Sequence, residues 1–282
     1  MWIEMRKNKV KKIIKAGKSA VGTFLLSRSI ANLEILAMAG FDFVVIDTEH
    51  FMKNPETIEH LIITAEATGI VPFVRIQENV NLIERALSAG ARGIVVPMCN
   101  TMEVAQAAVD NGKYVPAGKR GVCNTRAVTY GATGFEDMVS FFRTENDNIM
   151  IIAQIETLEA VNNLPDIMAV NGIDACFVGP LDLSHSLGIT CEFDNPILEG
   201  HIQQILKQGK KAKMPMGILS FNAEAVNRRL AQGFSFVAMS CDTLFLAQAA
   251  AGEMKKVIRR EGLVVVRKFL EYGHRQGGNN QG

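Results

Sequence analysis

No apolar run in this sequence reaches the roughly 18–20 residues that a membrane-spanning helix needs; the longest, such as VVI and GIVVPM, are of strand length. An excess of one charge is also lacking. Thirty Lys and Arg face 29 Asp and Glu, a net charge of +1, so neither a basic surface for nucleic acid nor an acidic, solvating chain is expected. Cysteine is sparse: Cys99, Cys123, Cys176, Cys191 and Cys241 are odd in number, widely spaced and never in a CxxC pair. That argues against a disulfide framework and a zinc site, and for a reducing, cytoplasmic setting. Cys176 lies in an apolar strand and is expected in the core. The N-terminal MWIEMRKNKVKKIIKAGKSA lacks the apolar region of a signal peptide. It reads as a capping helix with Val10, Ile13 and Ile14 on one side and a solvated lysine face on the other.

What the chain has is a recurring unit. A helical stretch ends in Gly, and a β-branched or aromatic-rich strand follows: ILAMAG-FDFVVID, ITAEATG-IVPFVRI, RALSAG-ARGIVVPM, IMAVNG-IDACFVG and RLAQG-FSFVAMS. Gly accepts the left-handed backbone that closes a helix. Strands apolar at successive positions are parallel strands covered on both faces. The strands predicted are Val21–Leu26, Phe43–Asp47, Phe73–Arg75, Gly93–Pro97, Ile151–Ile155, Ala175–Gly179, Met216–Leu219 and Phe236–Ser240. Helix starts fall between them: Asn54 with Pro55, Thr101 with Glu103, and Thr157 with Glu159. Eight strands alternating with helices over 282 residues predict an α/β protein, the (β/α)₈ TIM barrel. The open doubly wound sheet is disfavoured because no GxGxxG follows the first strand.

The expected domain is single: a basic helix over 1–18, the barrel over 19–260, and a C-terminal helix with a disordered tail over 261–282. The helix GLVVVRKFLEY (262–272) is apolar enough to need a partner and is expected to pack on another subunit. The long Gly-rich segment from Pro116 to Asp137 carries Lys119, Arg120 and Arg126. It reads either as a set of cations for an anionic substrate tail or as a solvated or interface loop.

Polar residues at the C-terminal ends of barrel strands face the active-site mouth. Here they are Ser27 and Arg28, then Asp47, Glu49 and His50, then Arg75 and Gln77, then Gln154 and Glu156, then Asp182. Glu156 and Asp182 end adjacent strands. Each precedes a helix and would serve as a cap; together they suit a divalent cation with open positions for a chelating substrate. Arg75 is either a partner for nearby acids or a guanidinium over a developing oxyanion. His50 is a candidate general base or acid, and His185 stays open between a structural and a functional role. No lysine falls at an inner strand end, so a Schiff-base mechanism is not expected.

FDFVVIDTEH, VPFVRIQ, GARGIVVPM, PAGKRGV, AQIET and FVGPLDLSHSLGI, in this order, resemble the HpcH/HpaI aldolase family over about Gly22 to Thr243. Its members include the 4-hydroxy-2-oxoheptanedioate, 2-dehydro-3-deoxyglucarate and 2-keto-3-deoxy-L-rhamnonate aldolases. The resemblance implies a metal-dependent class II pyruvate aldolase, a homo-oligomer built as a hexamer (a trimer of dimers) with the C-terminal helix exchanged between subunits. It implies that Glu156 and Asp182 bind Mg²⁺ or Mn²⁺, or Co²⁺. It implies that Arg75 stabilises the enolate oxygen and that His50 is the base. Gln154 and the backbone around Leu181 and Asp182 would contact the substrate. Ser88 stands where the family's LDAGA segment has an Asp that partners the histidine, so either Asp47, Glu49 or a neighbouring subunit substitutes or the base is weaker. The expected reaction is cleavage of a 4-hydroxy-2-oxo acid, a sugar acid or dicarboxylate, to pyruvate and an aldehyde through a metal-bound enolate. The alternatives are oxaloacetate decarboxylation, C–C lysis of a CoA thioester at the same site, and a non-catalytic barrel scaffold.

Overall fold

The computed structural model describes residues 7–77 and 81–257. Parallel strands close into a barrel in chain order: β1 (Ala20–Leu25), β2 (Phe43–Asp47), β3 (Val71–Arg75), β4 (Gly93–Val96), β5 (Met150–Ile155), β6 (Ala175–Val178), β7 (Met216–Ser220) and β8 (Phe236–Cys241). The helices before β5 are α1 (Lys9–Lys15), α2 (Ile30–Met38), α3 (Pro55–Thr68), α4 (Asn81–Ala89), α5 (Met102–Gly112) and α6 (Phe135–Asn148). After it come α7 (Leu158–Asn162), α8 (Leu164–Ala169), α9 (Pro180–Ser186), α10 (Pro196–Ala212), α11 (Ala223–Gln232) and α12 (Asp242–Lys256). The chain divides into two compact units, Met1–Asp242 and Thr243–Gly282. The barrel is in the first, and the rest of α12 supplies the described part of the second. The segment 262–272, expected to exchange between subunits, lies outside the described residues. Among the described residues no helix is long and apolar enough to cross a membrane.

Local chemistry sets the element ends. Gly40, Gly69, Gly90, Gly172 and Gly233, which end the repeated units, all have positive φ, the conformation that the absence of a Cβ permits. Asn54 caps α3 by accepting from the Thr57 amide at 2.8 Å, and Thr157 caps α7 by accepting from the Ala160 amide at 3.0 Å.

The inside of the barrel is filled by aromatic rings from alternate positions. Phe43 stacks on Phe73 at 5.2 Å between centroids; Phe43 and Phe236 meet at 6.1 Å, and Phe236 and Phe177 at 5.8 Å. Gly22, Gly93 and Gly217 make room for these rings. A Cβ there would lie 2.4, 2.5 and 2.4 Å from Phe43, Phe73 and Phe236 respectively.

Helix α1 belongs to the N-terminal end of this core. Val10 is fully buried, with Ile13 and Ile14 packed against the same cluster. The solvated lysine face is corrected for one residue: Lys11 donates to Asp174 at 2.6 Å and to the Ile149 carbonyl at 2.7 Å. Its neighbours along the chain do not reveal that pairing, because both partners come from strand starts far away.

The loop cations also lie at the N-terminal end. Arg126 donates to the Ala89 carbonyl just before β4 at 2.7 Å and pairs with Glu66. Arg120 is buried and stacks on Tyr114 at 4.5 Å. Lys119 is exposed and pairs with Asp110 at 2.5 Å. None of them reaches the opposite end of its own chain, where the strands finish, so within one chain they do not line that mouth. The chain must return from α5 to the start of β5, and that return runs along the N-terminal end.

Candidate active site

The mouth is built from strand ends. Asp47 and Arg75 are register partners on β2 and β3, so their side chains meet. Arg75 Nε donates to Asp47 Oδ1 at 2.8 Å, Nη1 lies 3.1 Å from Glu49 Oε2, and the guanidinium sits 4.9 Å from the Phe24 ring centroid. Burial works against the charge of Arg75. Bonded Asp47, with Glu49 and Glu156 nearby, outweighs that and holds the pKa above the usual arginine range. The Glu49 amide in turn donates to Asp47 Oδ1 at 3.1 Å. His50 comes next in the loop, its side chain 55% exposed and its Nε2 3.8 Å from Glu49 Oε2.

Glu156 follows β5 and is almost fully buried. Its Oε1 accepts from the Met98 amide at 2.7 Å and its Oε2 accepts from Gln154 Nε2. Burial pushes its pKa up to about 7; those two hydrogen bonds oppose the shift, and the negative charges of Glu49 and Asp182 add to it. It makes no salt bridge among the described residues. Met98, which supplies the amide, has φ +48°, a left-handed backbone that costs a non-glycine residue about 1–3 kcal/mol and is characteristic of functional sites. Gly179, just past β6, leaves the space Glu156 needs: a Cβ there would lie 2.7 Å from Glu156 Oε2 and 3.0 Å from its Cβ.

Neither acid is spent as a helix cap. Thr157 caps α7, and α9 has no side-chain cap although half-buried Asp182 stands in its first turn. Among the described residues no group of three or more His, Cys, Asp or Glu side chains surrounds a common point, so a cation here has at most these two protein carboxylates. The donor set fits a hard divalent ion. Glu156 is a buried carboxylate beside like charges, and the buried acceptors Gln154 Oε1 and Asp47 Oδ2 have no donor among the described residues. Water on a cation satisfies such groups.

Other expected residues are less central. Gln77 is exposed, and Arg28 donates to the Met52 carbonyl at 3.1 Å. Ser27 accepts at its Oγ from the Ser29 amide and Asn32 Nδ2, both at 3.2 Å. His185 is 2.9 Å from Thr190 Oγ1 through Nδ1. Ser88 ends α4 on the approach to β4, and its Oγ accepts from Arg120 Nη2 at 3.4 Å. It therefore sits at the far end from His50 of the same chain, and Glu49 is the carboxylate beside that histidine. Among the described residues no strand ends in a lysine, but one loop lysine reaches the mouth: Lys53 Nζ donates to the carbonyls of Leu26 and Asp47 at 2.8 and 2.6 Å. Its place in a loop hid it, because loop sequence carries no period from which a side-chain direction follows.

A family model described as HpcH/HpaI aldolase/citrate lyase matches residues 20–249. The chain belongs to this family. Among HpcH/HpaI relatives, a 4-hydroxy-2-oxo-heptane-1,7-dioate aldolase of Shigella sonnei (strain Ss046) is 35% identical over 86% of this chain and 92% of its own. A 2-dehydro-3,6-dideoxy-6-sulfogluconate aldolase of Pseudomonas putida is 34% identical over 84% of this chain and 92% of its own. The crystal structure of an HpcH/HpaI aldolase from Desulfitobacterium hafniense DCB-2 superposes with a TM-score of 0.83 at 30% identity, covering 89% of this chain and 97% of its own. That of the citrate synthase SbnG gives 0.79 at 31%, covering 87% and 96%. Membership in the HpcH/HpaI family makes this chain a carbon–carbon lyase.

Proposed function

We propose that this chain cleaves a 4-hydroxy-2-oxo acid, a sugar acid or a dicarboxylate, reversibly to pyruvate and an aldehyde. The observation that carries the reading is one mouth holding a buried Glu156 that makes no salt bridge among the described residues beside Asp182, a guanidinium locked by Asp47 and Glu49, and a half-exposed His50. Glu156 and Asp182 would hold the divalent cation, Mg²⁺, Mn²⁺ or Co²⁺. When bound, such an ion supplies Lewis acidity worth several kcal/mol to a developing enolate.

The chain's own groups do the rest. Arg75 has more N–H donors than Asp47 and Glu49 use, and it offers them to the substrate's C2 oxygen as negative charge accumulates there. The amides of Leu181 and Asp182, in the first turn of α9, lack intrahelical partners and suit the substrate carboxylate. His50 takes the proton from the C4 hydroxyl, the C3–C4 bond breaks, and the electron pair settles in the C2–C3 enolate. The His50 imidazolium then delivers its proton to C3, which gives pyruvate and frees His50 for the next turnover. Glu49 Oε2, 3.8 Å from Nε2, is the carboxylate that stands beside the imidazolium.

The likeness to a citrate synthase favours a second reading, in which the same enolate meets a different electrophile or, as in oxaloacetate decarboxylation, arises by another bond cleavage. The chain is proposed to work as a single domain in a homohexamer. Its five cysteines form no disulfide among the described residues, which suits a reducing cytoplasm.

The test is exchange of pyruvate methyl protons with deuterated solvent. The reading expects exchange that needs a divalent cation and is abolished in Glu156→Ala. Absence of exchange with Mg²⁺, Mn²⁺ and Co²⁺ alike would overturn it. A screen of pyruvate release from 4-hydroxy-2-oxo acids, with and without chelator, then identifies the aldehyde partner.

A further inference from the structure

The loop from Thr48 to Asn54 carries Glu49 and His50 into the mouth, and one of its own side chains closes it. Lys53 is six residues past Asp47, yet its Nζ donates to the Asp47 carbonyl at 2.6 Å. The same ammonium donates to the Leu26 carbonyl at 2.8 Å. These carbonyls stand at the ends of β2 and β1, where the sheet offers no further amide to bond them. The peptide on the other side of Leu26 is held as well, its amide donating to Asp242 Oδ1 at 2.8 Å, while Asp242 Oδ2 accepts from Asn32 at 2.9 Å.

Lys53 is thus a member of a run of alternating charge around the mouth. The charged groups facing its ammonium are Asp47, Asp242, Arg28 and Arg75, and the Phe51 ring lies 5.6 Å away. Burial lowers its pKa, and Asp47 and Asp242 oppose that. A loop lysine ordinarily keeps its rotamer freedom and its hydration. This one is half-buried and spends two hydrogen bonds on backbone. A strut of that kind matters most where the tied segment must hold an angle. The tied segment bears Glu49, which grips Arg75, and His50, three residues before the lysine.

We propose that Lys53 is a positioning residue of this active site, a cationic strut that sets His50 against Arg75 by tying their loop to the ends of β1 and β2. The roles of His50 and Arg75 rest on the aldolase reading above; the strut itself rests on the hydrogen bonds. Lys53 touches no reacting atom. Without it the loop samples other arrangements, and a displacement of about 1 Å at a catalytic group costs about 100-fold in rate.

Lys53→Met and Lys53→Arg, in the full chain loaded with Mn²⁺, test this. The readouts are kcat and KM for pyruvate proton exchange, and amide hydrogen exchange of the loop in the resting protein. In Lys53→Met kcat falls about 10- to 100-fold, while KM stays within about threefold because the groups that bind pyruvate remain. Amide exchange accelerates over 48–53 and not in the barrel strands, and Lys53→Arg recovers most of kcat. The proposal is overturned by a kcat in Lys53→Met within about twofold of wild type, or by a KM that rises while kcat holds, which would make Lys53 a substrate contact. A loss that Lys53→Arg fails to recover, with loop exchange unchanged, also overturns it. Should the wild type show no exchange with any divalent cation, the aldolase reading fails first and loop protection decides alone: unchanged protection in Lys53→Met removes the strut.

Discussion

A carboxylic acid buried beside two other acids resists ionisation, and Glu156 is in that position. Its folded-state pKa of about 7 lies above its usual 4.5, so the folded state holds the proton more tightly than the unfolded chain does. The stability this contributes is fully present below about 4.5 and is lost as pH rises through about 7, on the order of 3 kcal/mol. A divalent cation binds the ionised form and reverses the trend. In chelator, the melting temperature of the wild type relative to Glu156→Gln therefore falls between pH 5 and pH 8. Added Mn²⁺ raises it more at pH 8 than at pH 5, and Glu156→Gln abolishes most of that rise; an equal rise in the variant would remove Glu156 from the cation site. Glu156, Asp182, Arg75 and His50 were legible as mouth residues because each follows a recognisable strand. The Met98 amide and Lys53 were not, because a backbone amide has no sequence label and a loop residue no predictable direction.

At the scale of elements, the start of β6 shows how a helix and a loop are fastened to a barrel. Asp174 accepts from Lys11 of α1 at 2.6 Å, from Lys113 at 2.7 Å and from the Ile151 amide at 2.9 Å. Lys113 is 3% exposed; burial lowers its pKa, against the pull of Asp174. Removing one partner of a buried pair costs more than the pair contributes, because the other charge is left uncompensated. Asp174→Asn is expected to cost about 3 kcal/mol by this mechanism, read as a lower urea midpoint with unchanged slope. A loss below about 1 kcal/mol, the range of a surface pair, would show that Lys113 finds another acceptor. The caps and terminal glycines of the helices were readable, since each acts within a few residues. The destination of Lys11 on α1 was not, since its partner Asp174 is 163 residues away.

At the scale of the whole molecule, closure of the barrel brings large rings against bare backbone. Gly217 on β7 faces Phe236 on β8 and Phe177 on β6, and a Cβ there would lie 2.4 and 2.7 Å from them. Gly217→Ala must push rings that already touch, and overpacking of this kind costs about 1–3 kcal/mol. Gly200 is the control. It lies on helix α10, and a methyl group added there would meet nothing within 4 Å, so Gly200→Ala gains roughly 0.5–1 kcal/mol from helix propensity. Equal urea midpoints for the two variants would contradict a tightly filled interior. The sequence by itself determined the eight strands, their parallel order and the polar residues at their ends, because apolar runs, glycine stops and caps are local signals that repeat. Only the tertiary structure decided that Arg120 and Arg126 lie at the far end from the chemistry, that Glu49 rather than Ser88 stands beside His50, and that Lys53 ties two strands at the mouth. The Arg126–Glu66 pair, the Arg120–Ser88 contact and the Lys53–Leu26 tie each join segments far apart in the sequence, which no local pattern encodes; they exist only once the barrel has closed and set those segments side by side.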